Sequence, residues 1–417
     1  MKLLAFSAAL LCVVPAALAQ FPTNGSPFHQ IRFSAEAEAN TRRQTLRDFI
    51  WDGPLPATLP EVEEDVALPI YLGSPSQAIP FDVDPLLYSR IDTLKAWVTD
   101  FDYFSNALLL HPSVLNENTN QLVIVHKGHS SWDAGLEGGI RDAAETLLAA
   151  GYTVALHQMP GGGWNHPAWG DVDADIPGYG PIDYPSFPAD FHDAIIEETG
   201  PPGGGWGFRL FLEPVLQTVN HWVQLPGSEG VSIIGYSGGG WTAHMLAALD
   251  VRIWLSIPVA GAAPLYVRNV LPGSAGDREQ HYTPLFDEDI QSDGSGGGVA
   301  TWLEIFALGG HGPERRQIMV TNELEPCCFG GIFPDGFKEI VSDRVASLDW
   351  GRWEHIYDDT QPLHIISPHT IDVILMGALA SGPSVRVPSA SYRMRALLGL
   401  GLLAACGVRL RSIQAAG

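Results

Sequence analysis

Apolar segments that switch between strand-like and helix-like periods predict an α/β fold, with a mostly parallel central sheet and helices on both faces. Two kinds of segment carry this. Short, almost wholly apolar runs in "QLVIVHKG", "TVALHQM" and "VSIIGY" read as strands buried on both faces. Between such runs lie stretches with apolar residues at helical spacing, as in "GIRDAAETLLAAGY", where Ile140, Ala143, Leu147 and Leu148 share one face. Strands alternating with helices in this way build parallel sheets covered on both sides. The 417 residues are 46% hydrophobic and 17% charged, a globular composition long enough for one large domain.

In chain order, "MKLLAFSAALLCVVPAALAQ" places Lys2 before an apolar run and Ala17-Leu18-Ala19 before Gln20. That pattern reads as a signal peptide over residues 1–19, so an exported protein is expected, in the periplasm, at the cell surface or outside the cell. Residues 20–90 read as an N-terminal arm packed on the core, with a helical pattern at 35–51 and a proline-rich extended connector, "WDGPLPATLPEVEEDV". The main domain is expected at 91–380. It opens with two partly alternating strands, "LKAWVTDFDYF" and "NALLLHPS", then the buried strand at 121–128, the helix at 139–152 and the strand at 153–159. A helix is expected at 210–222, after which come strand "VSIIGY", helix "GGWTAHMLAAL", strands "VRIWLSIPVAG" and "RQIMVTNE", and helix "HTIDVILMGAL".

Residues 381–417 read as a linker and a hydrophobic tail. Its apolar run at 396–408 is bracketed by Arg393 and Arg395 on one side and Arg409 and Arg411 on the other, and is shorter than the ~20 residues a bilayer span needs. The tail resembles the PEP-CTERM class of sorting signals, although Val387-Pro388-Ser389 stands where Pro-Glu-Pro belongs. An ordinary terminal helix is the competing reading.

Lys and Arg number 23 against 47 Asp and Glu, a net charge of −24. Such a surface repels phosphate backbones, so no nucleic-acid partner is expected, and membrane contact is expected only through the tail. The cysteines outside the leader are Cys327, Cys328 and Cys406, too few for a disulfide framework. Cys327-Cys328 could form a vicinal disulfide or stay as two buried thiols. Neither a CxxC motif nor a Cys/His cluster stands in the sequence, so no metal or cofactor is expected. His126 and His129 lie three apart at a strand end, where no third ligand is apparent.

Gly235-Tyr236-Ser237-Gly238-Gly239 matches G-x-S-x-G, between a buried strand and a helix. A sharp strand–turn–helix holds a serine exposed in a strained conformation, and glycines at −2 and +2 avoid clashes with its neighbours. Gly238 can then offer its amide N–H to a developing oxyanion. The tetrapeptide Gly-Gly-Gly-Trp recurs at 161–164 and 203–206, but without a serine and without a helix start. This arrangement resembles the α/β-hydrolase superfamily from about Leu94 to Leu379. The resemblance implies a nucleophile, an acid and a histidine in that chain order. Ser237 takes the nucleophile's place. Glu325, in the turn after "QIMVTNE", takes the acid's, with Glu323 and Asp335 as alternates. His364 is preferred to His369, because Ser367-Pro368 starts a helix that leaves His364 on the loop before it. An imidazole suits the task because its unperturbed pKa of ~6.5 lets it take and return a proton near neutral pH. The loop "HKGHSS" resembles the superfamily's His-Gly turn with Lys127 inserted, which implies His129 as second oxyanion donor through its backbone N–H.

Two weaker signals remain. Asp171, Asp173 and Asp175 have calcium-loop spacing, but glycine is missing at the sixth position and Ile182 stands at the twelfth, so an acidic surface loop is expected. The insertion at about 160–206 is rich in Gly, Pro and aromatics, and reads as a lid, a binding surface or a small core of its own. The expected function is an exported serine hydrolase, a carboxylic ester hydrolase with a Ser-Glu-His triad acting on small or polymer-borne esters. A peptidase or amidase with the same triad and a catalytically silent binding protein of this fold are the alternatives.

Overall fold

The computed structural model describes residues 26–72, 78–129, 135–166, 175–176, 180–181, 192–193, 195–196, 199–268, 271, 276–290, 295–348 and 350–382. The leader at 1–19, the tail beyond Gly382, Asp171, Asp173 and most of the aromatic insertion lie outside the described residues.

Nine strands form one sheet: β1 (Glu61–Glu63), β2 (Tyr88–Trp97), β3 (Phe104–Pro112), β4 (Leu122–His126), β5 (Thr153–His157), β6 (Val231–Tyr236), β7 (Ile253–Val259), β8 (Arg316–Asn322) and β9 (Arg352–Asp358). Their spatial order is β1-β2-β3-β5-β4-β6-β7-β8-β9. The first three pair antiparallel, with each other and with β5. From β5 to β9 every pairing is parallel. Every residue of β4, β5, β6 and β7 is buried, as their unbroken apolar runs require when helices cover both faces.

Helices α1 (Glu36–Trp51), α3 (Phe208–Trp222), α4 (Gly238–Leu249), α5 (Trp302–Gly310) and α6 (Lys338–Ser347) share one hydrophobic core on one face of the sheet. Helix α2 (Ile140–Ala149), which precedes α3 in the chain, and the terminal helix share the core of the other face. The terminal helix starts at Pro368, runs as a π-helix over Thr370–Leu375 and ends as α7 (Met376–Ser381).

The arm is tied to α4, the helix that follows Ser237, through arginines. Arg43 is buried and donates to the carbonyls of Ala248, Leu308 and His311, and Arg47 donates to that of Leu249. These carbonyls lie at the C-terminal ends of α4 and α5, where a cation also meets the negative end of the helix dipole. Arg315 does the same for Leu308, His311 and Ala247. The C-terminus of α4 is thus held from two directions.

Several elements differ from the sequence reading. The first strand does not run on through "TDFDYF": β2 ends at Trp97, and Val98–Tyr103 make a turn closed by Val98 N–H to Tyr103 C=O at 2.9 Å, with Asp100 at φ 68°. Strand β9 and helices α5 and α6 are additional. β9 is an edge strand whose residues are mostly half-exposed, so "RWEHIYD" lacks a buried strand's apolar run. Helix α5 is buried all round, which erases a helical period, and α6 buries only Val341 and Val345.

Candidate active site

The carboxyl ends of the parallel strands gather the chemistry. His126 ends β4, Tyr236 ends β6, Asn322 ends β8 and Asp358 ends β9. In open α/β sheets this edge is where ligands bind.

Ser237 follows β6 directly and has φ 56° and ψ −127°, a conformation that side chains with a Cβ rarely adopt. Two backbone bonds hold it there: Ser237 N–H to Val259 C=O at 3.0 Å, and Trp241 N–H to Ser237 C=O at 2.9 Å. The flanking glycines are required by space. A Cβ on Gly235 would lie 2.4 Å from the Gly239 oxygen, and one on Gly239 would lie 2.2 Å from the His126 oxygen. Helix α4 begins at Gly238, so that residue's N–H is one of the first-turn donors that have no partner within the helix.

The loop after β4 abuts this turn. A Cβ on Gly128 would sit 2.6 Å from Ser237 Cβ and 3.2 Å from Gly238 N. Lys127 is buried and bonded to the Gly135 carbonyl at 2.6 Å and to Glu137 at 2.9 Å, so the inserted residue is anchored elsewhere and Gly128 faces the serine.

Glu325 and His364 are brought together. His364 Nδ1 lies 2.8 Å from Glu325 Oε2, and this carboxylate is fully buried while the imidazole is about one-fifth exposed. Glu325 Oε1 accepts from Phe329 N–H at 2.9 Å. The His364 ring stands edge-on to Tyr236, the residue before the serine, with centroids 5.7 Å apart. Ser237 Oγ makes no hydrogen bond to His364 among the described residues. Such bonds often tighten only when substrate binds.

The alternates stand elsewhere. Asp335 is engaged by Lys338 and by the Tyr357 hydroxyl at 2.8 Å, and Glu323 has no contact with an imidazole among the described residues. His369 sits in the first helical turn, with no carboxylate partner among the described residues. Cys327 and Cys328 are free thiols beside Glu325, with Sγ atoms 2.7 Å apart, and burial pushes the Cys328 thiol up.

Two positioning features escaped the sequence reading. Asn322 Nδ2 donates to Glu325 Oε2 at 3.3 Å and to the carbonyls of Leu363 and Ile365 at 3.1 and 3.0 Å, joining the turn of Glu325 to the loop of His364. Asp358 is buried at the start of that loop and accepts from Thr360, Ser367 and Thr370. Ser367 Oγ in turn accepts the Thr370 N–H at 3.0 Å, the capping role its position before Pro368 predicts. A polar residue at the last position of a strand was the available signal for both Asn322 and Asp358.

His129 has partners that sequence distance hides. Its Nε2 lies 2.8 Å from Asp277 Oδ2 and 3.0 Å from Glu279 Oε1, and its ring is 4.9 Å from that of His192. Burial alone would lower this imidazole, but Glu279 and Asp277 pull it up to about 10. His126, by contrast, turns to the Lys127 carbonyl at 2.7 Å, and burial lowers it to about 4. The two histidines three apart are therefore not a pair.

No protein-family model matches the chain. No curated protein matches it in sequence. Among solved structures, acetyl xylan esterase 1 from Thermoanaerobacterium sp. superposes with a TM-score of 0.51 at 15% identity, over 85% of this chain and 96% of that one. An acetyl xylan esterase from Paenibacillus sp. reaches a TM-score of 0.48 at 12% identity, over 85% and 98%. The first of these likenesses, with the sheet order above, shows an α/β-hydrolase fold.

Proposed function

We propose that this chain is a serine hydrolase that cleaves carboxylic esters through an acyl-enzyme. The observation that carries the reading is the buried Glu325 bonded to His364 Nδ1 at 2.8 Å, with that imidazole edge-on to Tyr236, the residue before a serine held in a strained turn. In this reading His364 Nε2 takes the proton of Ser237 Oγ as the oxygen attacks the ester carbonyl. Glu325 fixes the tautomer and stabilises the imidazolium. The N–H groups of Gly238 and His129 receive the oxyanion. Collapse expels the alcohol with the proton from His364, and water repeats the sequence on the acyl-enzyme. Esters are preferred to amides by analogy, since the structure with the TM-score of 0.51 is that of an esterase.

A fluorophosphonate probe should label Ser237, and p-nitrophenyl acetate should turn over faster than aminoacyl anilides. A folded protein that resists the probe is a silent binding module, and a preference for anilides makes it an amidase. Export through the leader at 1–19 belongs to the same reading. A mature N-terminus at Gln20, read by mass spectrometry, tests it.

A further inference from the structure

The side chains of His129, His192, Asp277 and Glu279 come from three separate stretches of chain: the loop after β4, the insertion, and the segment before a short helix at Thr283–Phe286. One nitrogen or oxygen from each lies within 4.8 Å of all the others. Glu279 is fully buried, and neither of its carboxylate oxygens has a hydrogen-bond partner. His129 Nε2 is close to two carboxylates, yet its single N–H aligns with neither oxygen well enough for a hydrogen bond. A buried carboxylate in that condition is costly unless a positive charge faces it.

His192 supplies the decisive orientation. Its Nε2 lies 2.8 Å from the Pro160 carbonyl, which can only accept, so Nε2 carries the proton and Nδ1 keeps its lone pair. Donation of the distal N–H to a backbone carbonyl is how metal-bound imidazoles are commonly held.

From this arrangement we infer that His129 Nε2, His192 Nδ1, Asp277 and Glu279 form a binding site for a zinc-class divalent ion at the nucleophile edge of the sheet. Two imidazoles and two carboxylates suit zinc, whereas magnesium and calcium prefer six or more oxygens. Four protein donors fill a tetrahedron, which makes the ion a structural tie rather than a reagent. With metal–ligand bonds of 2.0–2.1 Å, donors in a tetrahedron stand about 3.4 Å apart, so spacings of 2.8 and 3.0 Å need little adjustment. On binding, the ion displaces the proton from His129 and supplies the charge the carboxylates face. The tie pins the insertion to the loop that carries Gly128 and His129. A Cβ on Gly238 would lie 2.6 Å from the His129 ring, so the ion would sit one side chain away from the serine's turn.

The test uses the tag-free full chain, stripped with a chelator and equilibrated with zinc alone. One zinc per chain is expected by elemental analysis, with zinc K-edge absorption showing only nitrogen and oxygen neighbours near about 2.0 Å. Glu279→Gln and Asp277→Asn should each weaken zinc by about 100-fold or more. The double substitution Cys327→Ser/Cys328→Ser should leave it in place. That control matters because Glu325, Cys327, Cys328 and His364 also lie close enough together to ligate an ion. Sulfur neighbours near about 2.3 Å, loss of zinc from the cysteine variant with retention in Glu279→Gln, or no zinc in the wild type would each overturn the site. Absorption on the wild type decides the matter even where a variant fails to fold. Metal content is read without activity, so its failure leaves the hydrolase reading untouched.

Discussion

Replacing Ser237 by glycine should remove the proposed nucleophile and yet stabilise the protein relative to Ser237→Ala. The serine sits at φ 56° and ψ −127°, where a Cβ crowds the backbone, and such a residue costs about 1–3 kcal/mol. Alanine keeps the Cβ and the strain. Glycine relieves it but loses about 0.5–1 kcal/mol of backbone entropy on folding. The serine hydroxyl caps no amide at the start of α4, so its loss is common to both variants. The net advantage of glycine over alanine is about 1 kcal/mol, within a range of roughly 0–2.5. Urea unfolding followed by tryptophan fluorescence would show it as a midpoint about 0.3 M higher, for a slope near 3 kcal/mol/M. Both variants should lose fluorophosphonate labelling. A glycine variant that unfolds before the alanine variant would refute the claim that the turn stores strain.

Gly128→Ala places a methyl 2.6 Å from Ser237 Cβ, about 1 Å inside normal contact, and a shift of that size costs about 100-fold in the labelling rate; a rate within threefold of wild type would count against this loop as the wall of the site. His364→Ala should slow labelling by about 1000-fold or more, while His369→Ala leaves it near wild type, and the reverse order would move the histidine into the helix. Asp358→Asn should cost about 2 kcal/mol at pH 6, since burial alone would raise this carboxyl but bonds from Ser367, Thr360 and Thr370 hold it below the usual range. Its stabilisation is present above the unfolded pKa of about 3.9 and is lost as pH falls through the lower folded value, so the gap between wild type and variant in urea should narrow towards pH 3. A gap that stays constant would remove Asp358 from the loop's charge-assisted support.

Legibility in the sequence followed how local each constraint is. The turn around Ser237 was readable because its demands fall on neighbouring residues: an apolar strand, glycines at −2 and +2, and a helix. The link from Glu325 to His364 was readable only through the superfamily resemblance, because nothing near either residue names the other. The histidine's loop was placed without the strand that launches it, since β9 lies at the sheet edge and its half-exposed residues break the apolar run. Chain order alone required a strand there: a parallel sheet that sets Glu325 after β8 needs one more crossover before His364 can return to the same edge. The cluster around His129 marks the other limit. Its members are separated by 63, 85 and 2 residues along the chain (129 to 192, 192 to 277, 277 to 279) and stand in a loop, a helical stretch and a single turn, where neither period nor motif signals a neighbour. The sequence could offer His126 as a partner only because it was close by, and β4 turns that imidazole away from His129 to the Lys127 carbonyl. Proximity in sequence stood in for proximity in space, and at the end of a buried strand, where successive side chains leave in opposite directions, that substitution fails.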